Sequence, residues 1–146
     1  MARMTDSGTS ESPQQRITQQ QLVDLVPFVG LLGAQLLSAT PEQVKGRLDW
    51  SEERCTADEV LHGGALMTLA DTLGALCAYL NLPPGAQTST IESKTNFFRA
   101  VRSGHVESTS RPLHVGRSTI VVQTDLFDAQ GRRVAQTTQS QAVVSG

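Results

Sequence analysis

The chain has 146 residues and a formal net charge of -2. That is enough for one hydrophobic core but not for two, and without a basic excess the surface does not suit nucleic acid or an anionic membrane. Aromatic residues make up only 4%, so the core must be aliphatic, and two cysteines, Cys55 and Cys77, supply neither a disulfide framework nor metal-ligand spacing.

Residues 1–16 are rich in Ser, Thr, Gln and Glu and read as a disordered tail without the apolar stretch of a secretory signal, so the expected location is cytoplasmic. A single domain is expected over 17–146. It opens with a short amphipathic helix over 17–26, with Ile17, Leu22 and Leu25 on one side, ended by Pro27. Strand candidates follow at 33–38 and 43–50. In the second, Val44, Gly46, Leu48 and Trp50 alternate with charged residues, which predicts a half-buried antiparallel pair.

The segment 63–82 is apolar at helical spacing and is stopped by Pro83, Pro84 and Gly85. It is long enough to resemble a membrane span, but Asp71, two threonines, a tyrosine and the paired glycines at its start point to a buried helix wrapped by sheet. Four β-like runs complete the chain, at 88–100, 104–115, 117–127 and 133–144, the last two joined across Asp128-Ala129-Gln130-Gly131. The expected fold is α+β, a long central helix against one antiparallel sheet of about six strands, the last four forming a meander.

The chemistry concentrates around that helix. An ionised carboxylate on an apolar helix is costly unless compensated, so Asp71 is a candidate functional group. Just upstream, His62-Gly63-Gly64 places glycine amides at a helix N-terminus, where unpaired N–H groups suit a carbonyl oxygen gaining negative charge. Together these features suggest acyl transfer. Along a helix, eight residues separate Gly63 from Asp71 by about 12 Å. Charge is also unevenly distributed. Ten of the 14 acidic residues lie at or before Asp71, while Lys94, Arg99, Arg102, Arg111, Arg117, Arg132 and Arg133 enrich the second half, which can meet a small polyanion or simply solvate strand ends and turns.

Several motifs occur in order: His62-Gly63-Gly64-Ala65-Leu66, then Leu69-Ala70-Asp71-Thr72, Thr90 through Ala100, Gly116-Arg117-Ser118, and Asp128 through Arg132. Over about residues 28–144 they resemble the hotdog-fold acyl-coenzyme A thioesterases, and within them the phenylacetic-acid-degradation (PaaI-like) branch. The resemblance implies a hotdog fold and hydrolysis of an aryl- or medium-chain acyl-coenzyme A. It also implies no bound metal or redox cofactor, and active sites at the interface of a homodimer, commonly within a homotetramer.

By the same resemblance, the Gly63 backbone N–H polarises the thioester carbonyl and Asp71 is the catalytic carboxylate, acting as nucleophile or as general base on water. His62 and Thr90 are grouped with the catalytic residues: His62 orders the loop before the helix, with general-base chemistry the alternative, and Thr90 steadies the carboxylate or water or is an ordinary strand residue. Gly64, Thr56, Arg99, Arg117 and Ser118 contact substrate, the arginines being suited to the phosphates of coenzyme A. His105 and His114 read as structural. The acyl pocket is expected from the helix and from Pro27, Phe28, Val29, Leu31 and Leu32, with Phe97 and Phe98 nearby, either of which can equally be core. One departure stands out: relatives commonly have Asn or Gln six residues before the histidine and Gly three before it, where this chain has Thr56 and Glu59. Thr56 leaves open the alternative of a non-catalytic module that binds or senses acyl-coenzyme A. A dehydratase of this fold is the third reading, and the segment typical of such enzymes is missing.

Overall fold

The structure, a computed structural model, describes residues 16–146, so all of the expected tail but Arg16 lies outside the described residues. Helix α1 (Gln19–Leu25) starts with a reciprocal cap: Thr18 Oγ1 accepts from the Gln21 N–H, and the Gln21 side chain accepts from the Thr18 N–H. Leu22 is buried as expected, but Leu25 points outward, 66% exposed, and Ile17 precedes the helix. Pro27 ends α1 and also begins a second short helix that the sequence did not predict, α2 (Pro27–Leu32), because its fixed φ suits a first helical position. Gly33, at φ 80, closes α2.

Strands β1 (Gln35–Ala39) and β2 (Val44–Asp49) form the predicted antiparallel pair, with Val44 and Leu48 fully buried. Between them Gly46 faces the central helix, where an added Cβ would overlap Leu73, so glycine lets sheet and helix approach closely here. The central helix α3 spans Gly63–Leu80 and ends before the proline pair, with Asn81 Nδ2 donating to the carbonyls of Cys77 and Pro41. Strands β3 (Gln87–Phe97), β4 (His105–Val115), β5 (Thr119–Asp128) and β6 (Arg133–Val144) follow. The first is shorter than expected: Arg99 and Ala100 lie in the connection, where the Phe98 and Arg99 N–H groups both donate to the Val134 carbonyl.

All six strands form one antiparallel sheet in the order β1-β2-β4-β5-β6-β3. The expected four-stranded meander is therefore corrected to three strands, β4-β5-β6. Strand alternation shows which residues pair with some sheet, not which strand is the neighbour. Here α3 carries the chain across the sheet, so β3 lands at the far edge beside β6 and β2 pairs with β4.

The sheet wraps α3 on one side and buries Leu66, Leu69, Ala70, Leu73, Leu76, Cys77 and Ala78. Burial raises the Cys77 thiol to about 11. The expectation of a helix enclosed all round is corrected: Met67, Asp71 and Tyr79 are exposed. By length and composition α3 could cross a membrane, yet half of it is buried in this fold. At the far edge β3 has nine of its eleven residues exposed, Ile91 by 64%.

The chain enters α3 through a tight turn in which Asp58 and Glu59 both have positive φ, 60 and 58. Glu59 occupies the left-handed region where its Cβ is disfavoured, and its carbonyl is held by the Trp50 indole N–H at 2.9 Å. Glycine, which the family resemblance places here, would relieve that strain. We expect Glu59→Gly to stabilise the protein by about 0.5–1 kcal/mol net of the glycine's greater freedom when unfolded. Urea denaturation checks this, and a loss of stability would show that the Glu59 side chain contributes more than the strain costs.

Candidate active site

At the start of α3, His62 serves as the N-cap, its Nδ1 accepting from the Gly64 N–H at 2.7 Å. The Ala65 and Leu66 N–H groups are satisfied by the His62 carbonyl. Of the first four amides of the helix, this leaves the Gly63 N–H without an acceptor among the described residues. The histidine thus caps the helix, and the cap does not engage the preceding glycine N–H. An added Cβ at Gly63 would meet the Phe97 ring at 3.1 Å, which fixes the helix start beside the end of β3.

Two turns along, Asp71 stands on the open face of α3, where the sequence suggested a core environment. It borders a mostly apolar cavity of about 360 Å³ that reaches Tyr79 and is walled by Leu22, Leu25 and Val26 from the first helices and by Thr88 from β3. Burial of its inner side raises the Asp71 pKa, and a hydrogen bond from Gln139 opposes that rise. The Gln139 Nε2 lies 3.3 Å from Asp71 Oδ1 and 3.5 Å from its main-chain oxygen.

The other candidate residues divide among three places. Thr56, Gly63 and Arg99 line one cavity of about 360 Å³ together with Phe97 and Phe98. His62 and Gly64 line a larger one of about 700 Å³ with Phe28, Leu31 and Leu32. The expected acyl-pocket residues of α2 therefore open onto a different space from Asp71, and Val29 is core, 2% exposed. Thr90 does not reach Asp71 by any hydrogen bond: its hydroxyl accepts from the buried Gln141 amide at 2.8 Å.

Arg117 and Ser118 sit in the exposed β4–β5 hairpin, and the Ser118 carbonyl accepts from Val143. That hairpin lies at the end of the sheet where β3 begins, since Thr119 and Ser89 both pair with Ala142. Arg99 lies at the opposite end, past Phe97, so one chain does not bring the two arginines together. Of the other basic residues, Arg132 pairs with Asp128, Arg133 with Asp125, and Arg111 donates to Gln43.

Gln139, Thr88, Val26 and Tyr79 were not expected at the site from the sequence, and Leu22 was expected only on the apolar side of the first helix. For Gln139 a signal existed: the alternation of β6 places Thr137, Gln139 and Gln141 on its inward side, and polar residues at inward positions under an apolar helix are unusual.

Comparison with known proteins supplies the family. The family model described as "Thioesterase superfamily" matches residues 58–135. The proofreading thioesterase EntH of Cronobacter turicensis is 38% identical over 85 residues, 58% of this chain and 62% of that protein. The 1,4-dihydroxy-2-naphthoyl-CoA hydrolase of Escherichia coli is 36% identical over 73 residues, 50% of this chain and 54% of that protein. The chain thus spans between half and two thirds of the length of the curated relatives it matches. Among solved structures, a thioesterase from Haemophilus influenzae covers 90% of this chain and 94% of its own, with 25% identity and a TM-score of 0.83. The matched region runs from the turn before α3 to the middle of the last hairpin, more than half the chain, and on it the protein belongs to the thioesterase superfamily, with the hotdog fold.

Proposed function

We propose that the protein hydrolyses acyl-coenzyme A thioesters, in the manner of the PaaI-like branch, at a site completed by a second copy of the chain. The observation that carries this reading is the pairing on one helix of an N-terminal N–H, Gly63, without a partner among the described residues, with a carboxylate at the mouth of an apolar cavity, Asp71. The N–H stabilises negative charge on the thioester oxygen. Asp71 adds to the carbonyl carbon directly or takes a proton from the water that adds. Collapse of the tetrahedral species expels the coenzyme A thiolate, which takes up a proton, and water has become part of the carboxylic acid product.

The exposed β3 edge supports the second copy. An eleven-residue strand with open backbone groups is a template for pairing. Antiparallel pairing of two such edges about their midpoint sets Phe97 of one chain opposite Gln87 and Thr88 of the other. Gly63 lies beside Phe97, and the Asp71 cavity reaches Thr88, so this pairing brings one chain's amide toward the other's carboxylate. It also carries Arg99 to the end of the sheet where the partner's hairpin presents a second arginine, a suitable cradle for phosphates. Leu31 of α2, 83% exposed, offers a further surface for a tetramer.

For the acyl group, the Asp71 cavity runs along α3 to Tyr79, about 12 Å away. Leu25 and Tyr79 also line a second cavity of about 350 Å³ beyond, so the two side chains stand between them. This depth suits an aryl or medium-length acyl chain, and the name of the Escherichia coli relative is that of an aryl thioester hydrolase. One observation favours the non-catalytic alternative: Thr56 brings a hydroxyl to the Gly63 cavity where the family resemblance places an amide.

Free-thiol release from a panel of aryl and fatty acyl-coenzyme A thioesters tests the reading. Wild type should turn over, and Asp71→Asn should remain folded and lose about 10²–10⁴-fold in kcat. Saturable binding without turnover in wild type would instead establish the sensing module. Because the ionised carboxylate acts, and burial raises its pKa above the ordinary 3.8, activity should fall with decreasing pH through a midpoint above that value. In the same assay Tyr79→Ala should join the two cavities and raise kcat/KM for longer relative to shorter acyl chains by at least about tenfold. An unchanged chain-length profile would place the acyl group elsewhere.

A further inference from the structure

We propose that Gln139 is a positioning residue for Asp71: its buried amide holds one carboxylate oxygen and the main chain of the same residue, which leaves the second oxygen directed to the cavity. The acting atom would then be Asp71 Oδ2. This deepens the proposed function and, for its catalytic consequence, rests on Asp71 being the acting carboxylate.

Three observations carry it. Gln139 is 1% exposed and reaches across from β6 to the middle of α3, where its Nε2 spans Asp71 Oδ1 and the Asp71 carbonyl. The opposite amide orientation would set Oε1 against two oxygens, so the bonding pattern fixes which way the group points. Second, the Gln139 Oε1 is buried and has no hydrogen-bond partner among the described residues. A chain that merely filled this space would do better with an apolar side chain, since a buried unpaired carbonyl costs stability. Third, α3 carries a glycine over the amide. A Cβ on Gly74 would overlap Oε1, so helix and strand are matched to keep a glutamine here.

Little else faces the carboxylate. Among the described residues, Tyr79 is the one other titratable group lining the Asp71 cavity, and no lysine, arginine or histidine lines it from α1, α3 or β3. With burial raising the Asp71 pKa and Gln139 opposing the rise, loss of the amide must move the titration upward.

The test begins with the unaltered protein and needs no substrate. With labelled protein, the Gln139 side-chain amide resonances and the Asp71 carboxyl carbon are followed through a pH titration. Shared midpoints support the proposal, and an amide that ignores the Asp71 titration overturns it. In Gln139→Met, nearly equal in length but without a donor, the Asp71 midpoint should move to higher pH and kcat should fall about tenfold with KM little changed. Gly74→Ala, which displaces the amide without removing it, should move the midpoint in the same direction. Unmoved midpoints in folded variants overturn the proposal, whereas a shift in a protein that hydrolyses no thioester would sustain the contact and fail only the assigned reaction.

Discussion

The rigidity of α3 is the constraint on which the rest of the structure depends. Gly63 and Asp71 lie on one unbroken helix, so the rise of 1.5 Å per residue holds them about 12 Å apart whatever the side chains do. A carbonyl carbon can be approached by both only if one of them comes from elsewhere. The sheet covers one side of α3 and leaves the other open, and the same molecule ends in a long exposed strand. In the proposed reading, a two-fold partner answers both the open helix face and the exposed strand edge.

Local devices then divide the work at the helix start. His62 gives its acceptor to the Gly64 amide, and its carbonyl serves the next two, which leaves Gly63 as the single unpaired donor of the helix start among the described residues. At the middle of the helix the sheet supplies Gln139 from below, while the first helices and β3 shape an apolar space beside the carboxylate. The positive φ at Asp58 and Glu59 marks the turn that delivers the chain into the cap.

Much of this was legible from residue order. Periodicity gave α3 to within two residues, the alternation of Val44, Gly46 and Leu48 gave the inward face of β2, and the boundaries of β6 were read without error. What was not legible depended on long-range pairing. The neighbour of β3 is set by how α3 crosses the sheet, which no local pattern records. The exposure of Asp71 has the same origin, since apolarity all round the helix does not tell whether sheet or another chain covers a given side. Helix α2 was hidden by Pro27, read as a stop when it was also a start, and Gln139 was hidden inside a strand run whose inward polar residues only acquire meaning once α3 lies over them.

Subunit complementation tests the central claim most directly. Gly63→Pro removes the unpartnered N–H at a first helical position, where proline's φ is tolerated and His62, at φ -62 and ψ 133, is suited to precede it. Refolded alone, that variant and Asp71→Asn should each be inactive toward a thioester that wild type hydrolyses. Refolded together, half of the dimers are mixed and each contains one intact site, so about a quarter of wild-type activity should return. A mixture no more active than its components, with mixed dimers demonstrated, would contradict a site built from Gly63 of one chain and Asp71 of the other.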